Sequence, residues 1–173
     1  MEKQIKIFWN IKQFKNEKKS SFHTFPKSNL IGIEYKANSE DLWNVTSEMV
    51  FDGFKEIFFT PTNFNKLLHF TKGNSLIRVN EISFSTDPDV DLEMQELLNA
   101  FYSEENSKRN KHLSNRLEKL IYECNASKIS FFYKAKNPAV KVNLYQAGMV
   151  HLTDRTNEEN LEWLDDILLE AVN

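Results

Sequence analysis

Carboxylates at alternate positions are the first residues in this chain whose spacing suggests chemistry. Asp87, Asp89, Asp91 and Glu93 are arranged like the early ligands of a calcium loop, because a hard cation takes several oxygen donors from one turn. The match then ends. Such a loop needs glycine at its sixth position and glutamate at its twelfth, and this chain has Leu92 and Leu98 there. Pro88 is suited to open a helix, so the carboxylates read as an acidic helix N-terminus favoured by the macrodipole. Glu34-Tyr35-Lys36 has the glutamate-x-lysine pattern of a metal-dependent nuclease, in which two acids hold the metal and the lysine stabilises charge. No Asp precedes Glu34 to supply the second acid, so the motif reads as strand-end charge.

The remaining reactive residue types are scattered. None of His23, His69, His112 and His151 has a second ligand two to four positions away, as zinc sites require. Cys124 falls on the inward side of a helix and reads as a small hydrophobe. As the only cysteine it makes no disulfide within the chain, which agrees with a reducing compartment. Glycines occur only at 32, 53, 73 and 148, too few and too far apart for a phosphate-cradling loop. No catalytic residue, metal or cofactor is implied.

Binding surfaces are better represented than chemistry. The helix expected over 156–172 carries Leu161, Leu164, Ile167, Leu168, Ala171 and Val172 on one face. Trp163 lies off that face, with Glu159, Asp166 and Glu170 around it. A large ring among carboxylates is a plausible anchor for a basic protein partner. A second surface combines Lys108, Lys111, Lys119 and Tyr122 of a helix with Phe132, Lys134, Lys136, Lys141 and Tyr145 of a hairpin. Cations and rings together are the ingredients of a single-stranded RNA or DNA site. Phe51, Phe54, Phe58, Phe59, Phe64 and Phe70 form the densest aromatic stretch; phenylalanine is mostly core, and the alternative is a ligand pocket or partner patch.

The elements that must position these residues follow from periodicity. Ile5, Ile7, Trp9 and Ile11 alternate with Lys6, Phe8, Asn10 and Lys12 and predict an opening strand whose odd residues face the core. Strands at 22–25 and 30–35, joined by the turn 26–29, complete an antiparallel meander. A helix capped at Asn38 or Ser39 turns Leu42, Val45 and Met49 inward with Phe51 near the same face, and Gly53 ends it. A short strand at 55–60, one or two helical turns capped by Thr62, and a strand over 76–84 form a central mixed region. Residues 88–124 make a helix pair joined by a short loop, with the second helix restarting at Ser107 and running to 124. A hairpin follows, with Ile129, Phe131, Tyr133, Val142 and Leu144 on its buried face, a turn at Asn137-Pro138-Ala139, and a bend at Gly148 in the return strand. Thr156 and Glu159 form a capping box for the C-terminal amphipathic helix.

This predicts a single α+β domain over 1–173. A hydrophobic content of 40% can fill a core, no apolar run is long enough for a membrane span, and Met1-Glu2-Lys3-Gln4 is no signal peptide; a cytoplasmic protein is the expectation. A net charge of -3 offers no overall attraction to nucleic acid. Richness in Lys, Asn, Ile and Phe matches chains from AT-rich bacterial or phage genomes. The expected function is non-enzymatic: a small protein that occupies a macromolecular partner through acidic helical faces, as an inhibitor, immunity protein or phage-encoded antagonist does. The alternatives are a nucleic-acid-binding module on the lysine and aromatic surface, and an enzyme whose site is assembled from distant residues.

Overall fold

A computed structural model describes residues 2–11, 21–36, 39–84, 88–104, 106–134, 139–153 and 161–173. The strands are β1 (Glu2–Trp9), β2 (Phe22–Phe25), β3 (Leu30–Tyr35), β4 (Lys55–Glu56), β5 (Ile77–Phe84), β6 (Ala126–Tyr133), β7 (Val140–Tyr145) and β8 (Met149–Thr153). The helices are α1 (Ser39–Phe51), α2 (Pro61–Gly73), α3 (Pro88–Ser103), α4 (Ser107–Glu123) and α5 (Glu162–Val172). One antiparallel sheet runs β2-β3-β1-β8-β7-β6-β5, and β4 pairs with the far end of β1. The fold is therefore α+β, as the element pattern predicts.

Alternation along the strands builds a two-sided sheet with unequal faces. Ile5, Ile7, Val79, Ile129, Phe131, Val142, Leu144, Val150 and Leu152 point to one side, where α2, α3, α4 and α5 bury them in the main core. On the other side a smaller cluster joins Phe8, Ile31 and Ile33 of the sheet to Met49 and Phe54, so among the described residues α1 is the helix that packs there. Beyond α1 that side is polar: the register places Glu81, Ser130, Asn143, His151, Gln4 and Tyr35 in one row across six strands.

The hairpin faces match the sequence expectation, with Ile129, Phe131, Val142 and Leu144 buried and Tyr133 half-buried. Asn137 and Pro138 of its expected turn lie outside the described residues, as do Thr156 and Glu159 of the expected capping box. Within the described residues α5 begins at Glu162 with Leu161 as an N-cap that makes no side-chain hydrogen bond. The return strand is two strands: Tyr145 pairs with Met149 across the turn Gln146-Ala147-Gly148, and Gly148 takes φ of 71°. This is a three-residue hairpin loop with glycine in the left-handed position, which a lone glycine inside an apolar run does not distinguish from a bend. The helix after Pro61 is likewise longer than expected. Thr60, not Thr62, is the N-cap; its hydroxyl accepts from the Asn63 amide, the Asn63 side chain accepts from the Thr60 amide, and Pro61 opens 13 helical residues. In the N-terminal strands β1 lies beside β3, and β2 takes the sheet edge.

Candidate functional site

Among the described residues the two most exposed large apolar side chains, Phe51 and Trp43, belong to α1, and the way this helix ends explains the position of Phe51. Gly53 takes φ of 85°, its amide donates to the Val50 carbonyl, and the Phe54 amide donates to the Met49 carbonyl, each at 3.0 Å. These are the two hydrogen bonds of a glycine-terminated helix end, which brings the side chain after the glycine onto the one five residues earlier. Phe54 and Met49 are both buried in the small cluster. Phe54 thus takes the core position, and Phe51, one residue before the cap, is left 92% exposed. The expectation that Phe51 lies near the inward face is corrected by this geometry.

Phe51 does not stand alone. Trp43 is 71% exposed and Val50 48%, and their spacing of seven and eight residues puts all three on one outward strip of α1, interrupted only by exposed Ser47. The helix is thus apolar on two faces, one spent on the sheet and one open. Of the aromatic stretch 51–70, Phe54, Phe59 and Phe64 are core, Phe70 is half-buried, and Phe51 and Phe58 face outward.

Along the flank of α1 that faces β2 and β3 runs a groove of about 270 Å³ with Glu34, Asp41, Glu48 and Asp52 on its walls and Val45 and Ile33 among its apolar residues. From Ser39 to Phe54 the chain has four acids and no Lys, Arg or His. Some of this charge is already engaged. Glu34 accepts from His23 at 2.7 Å and from Lys3 at 3.1 Å. Burial pushes the Glu34 carboxyl up, but those hydrogen bonds outweigh it and hold the group below the usual range. Asp41 accepts from the Lys36 backbone amide.

The residues singled out from sequence are placed differently. Trp163 does not stand free among carboxylates: its ring stacks on Tyr133 at 4.5 Å and 6°, and it packs against the main core. Asp166 pairs with Lys27 at 2.6 Å, Glu170 is exposed, and Glu159 lies outside the described residues. Their unremarked neighbour Asp165 is 2% exposed and accepts from the Lys27 amide, the Ser28 amide and the Ser28 hydroxyl at 2.7–2.9 Å. One side of α5 is therefore spent on the β2–β3 turn.

The lysine and aromatic set is divided between the two sides of the sheet. Lys108, Lys111, Lys119 and Tyr122 are exposed on α4, in the helical layer, whereas Phe132, Lys141 and Tyr145 extend from the opposite side. Lys134 is exposed just past β6, and Lys136 lies outside the described residues. Lys119 reaches Glu123 at 3.8 Å, the Tyr122 hydroxyl donates to Thr62, and Lys128 and Lys141 both reach Glu81, at 2.5 and 4.0 Å.

Two clusters superficially resemble catalytic ones. In an open groove of about 630 Å³ between α2 and α4, His69 lies 3.1 Å from Glu118 and 3.5 Å from the Ser114 hydroxyl. Both partners meet the same ring nitrogen, Nε2, so the imidazole cannot accept a proton from serine while donating its other N–H to the acid. On the polar side of the sheet the Tyr35 hydroxyl meets His151 Nε2 at 3.1 Å, and the Tyr145 ring lies 4.6 Å from the imidazole. Burial pushes Tyr35 up to about 12, with the Tyr145 hydroxyl adding to it, and burial holds His151 below its ordinary value against the pull of Glu2. Both are neutral at pH 7. Among the described residues no three His, Cys, Asp or Glu side chains are grouped to hold a metal ion, and no helix is long and apolar enough to cross a membrane. Asp91 accepts from the Phe84 amide, Glu93 pairs with Arg116, and Cys124 is half-buried against the core.

No family model, curated protein or solved structure matches the chain.

Proposed function

We propose that this protein acts by occupying a macromolecular partner, in the manner of an inhibitor, an immunity protein or a phage-encoded antagonist, and that the outward face of α1 is the docking surface. The observation that carries the reading is the exposure of Trp43, Val50 and Phe51 together on one helix. Scattered apolar residues are ordinary on a protein surface, but two large rings and a valine on one rigid strip form a patch that gains on being covered. Aromatic anchors of this kind supply most of the energy at protein interfaces, because they bury much area at little rotamer cost. The sequence expectation of an acidic helical docking face is kept, and the helix changes from α5 to α1.

The test is site-specific crosslinking in the native host. A photoreactive phenylalanine analogue placed at Ser47, in the middle of the strip, is expected to trap one defined partner. Trapping should disappear in the Trp43→Ser/Phe51→Ser variant and persist when exposed Leu92 of α3 is changed to serine. Equal trapping by the double variant would remove α1 from the binding surface.

A further inference from the structure

We infer that the occupant of the α1 surface is a cationic amphipathic helix of a partner protein, with its apolar stripe on Trp43, Val50 and Phe51 and its basic edge over the carboxylates beside them. The inference rests on the reading that α1 is the docking surface and goes further by stating the partner's chemistry. Two observations combine. The open strip is straight and narrow, with residues seven and eight apart along a 13-residue helix. Such a strip matches the i, i+3/i+4, i+7 anchors of a second helix better than it matches a flat surface. The charge beside it has one sign. Glu40 and Glu48 are exposed and stand three residues before Trp43 and Phe51, beside those rings on the helix surface, so a helix packed on the strip runs past both carboxylates. A partner carrying Lys or Arg on that edge gains attraction and steering, and one carrying carboxylates is repelled.

A second copy of this chain is the competing occupant, because α4 is itself basic, with Lys108, Arg109, Lys111, Arg116 and Lys119 against Glu118 and Glu123. The apolar stripe of α4 is already committed, however: Leu117 and Ile121 are buried, and Leu113 and Leu120 pack against the core. A docked copy would offer lysines without an apolar stripe. A helix from another protein can offer both.

Fluorescence anisotropy with three synthetic helical probes of about 18 residues tests this: a leucine–lysine amphipathic peptide, its leucine–glutamate counterpart, and a lysine–serine peptide of equal positive charge. The leucine–lysine peptide is expected to bind at least tenfold more tightly than either control. Its affinity should fall at least tenfold in Trp43→Ser/Phe51→Ser, which leaves net charge unchanged. It should fall about fivefold in Glu40→Lys/Glu48→Lys, with a weaker salt dependence than wild type, and Leu92→Ser should bind as wild type does. Unchanged thermal midpoints show that the variants are folded. Equal binding of the leucine–glutamate peptide, or undiminished leucine–lysine binding by the strip variant, overturns the inference. So does self-association in sedimentation that the strip substitutions abolish, since the occupant is then a second copy. If no peptide binds while crosslinking from Ser47 still depends on Trp43 and Phe51, the cationic-helix inference falls and the docking reading stands.

Discussion

Among single residues, Trp163 shows how far periodicity reaches. Helical spacing puts it off the apolar stripe of α5 but says nothing about what stands beside that helix, and Tyr133 at the end of β6 turns out to lie under the ring. Trp163→Ala is expected to lower unfolding free energy by about 2 kcal/mol, below a full core truncation because the ring is half-buried. Urea titration decides it, and a loss within about 0.5 kcal/mol would place the ring at the surface after all. Asp165 was invisible for the complementary reason. It reads as one more acid in an acidic helix, yet it satisfies two backbone amides and a hydroxyl of the β2–β3 turn. Asp165→Ala leaves the Lys27 and Ser28 amides without their acceptor, while the Ser28 hydroxyl keeps the Phe25 carbonyl at 3.3 Å, and should cost about 3 kcal/mol by the same measurement. Asp166→Ala, whose exposed pair with Lys27 is screened by solvent, should cost well under about 1 kcal/mol.

At the level of elements, most boundaries were legible because local signals agreed. The turn Pro26-Lys27-Ser28-Asn29 bounds β2 and β3 where proline and left-handed Asn29 require it, and the faces of β6 and β7 follow from alternation. The misreadings occurred where one residue type serves two purposes. Pro61 can break a strand or open a helix, and Gly148 can mark a bend or a hairpin loop. On α1 the signal for the exposed strip was present: Trp43, Val50 and Phe51 form a second apolar face at helical spacing. A one-sided assignment of Phe51 obscured it. Gly148 supplies the sharpest test at this scale. A Cβ there would meet the Ile57 carbonyl oxygen at 2.2 Å, in a backbone conformation that L side chains rarely adopt. Gly148→Ala should therefore destabilise by more than about 2 kcal/mol in urea titration. Thr60→Ala, which removes the α2 cap, should cost about 1 kcal/mol.

For the whole molecule, three partly buried groups shape the pH dependence of stability on the acid side. Burial holds His151 below its ordinary value, so its contribution is complete above about pH 6.5 and is lost as pH falls through the depressed folded value. Glu34 and Glu81 are also depressed. Burial pushes each up, but hydrogen bonds from His23 and Lys3 in one case and from Lys128 and Ser83 in the other prevail. Their contribution is complete above about pH 4.3 and is lost as pH falls through their folded values. Unfolding free energy should thus be level between about pH 7 and pH 9, decline in two stages on acidification, and decline again above about pH 10, where burial keeps Tyr35 from ionising. His151→Gln should flatten the upper stage, and Glu81→Gln should reduce the lower one. A wild-type profile that stays level from pH 7 to pH 5 would contradict the assignment of a depressed His151.

The position of β1 in the sheet governs the order in which the molecule can be assembled. This first strand is flanked by β3 on one side and by β8 on the other, with Glu2 opposite Thr153. A sheet nucleus made only from the early part of the chain therefore has β1 as an edge, covered by β4 only at Phe8 and Trp9, with Ile5 and Ile7 uncovered and the backbone groups before Phe8 open to any other strand. Closure waits for β8, and the loop it closes spans nearly every other element, so folding carries the entropic delay of distant pairing. Newly made chain up to β7 is consequently the stage most exposed to mispairing between molecules.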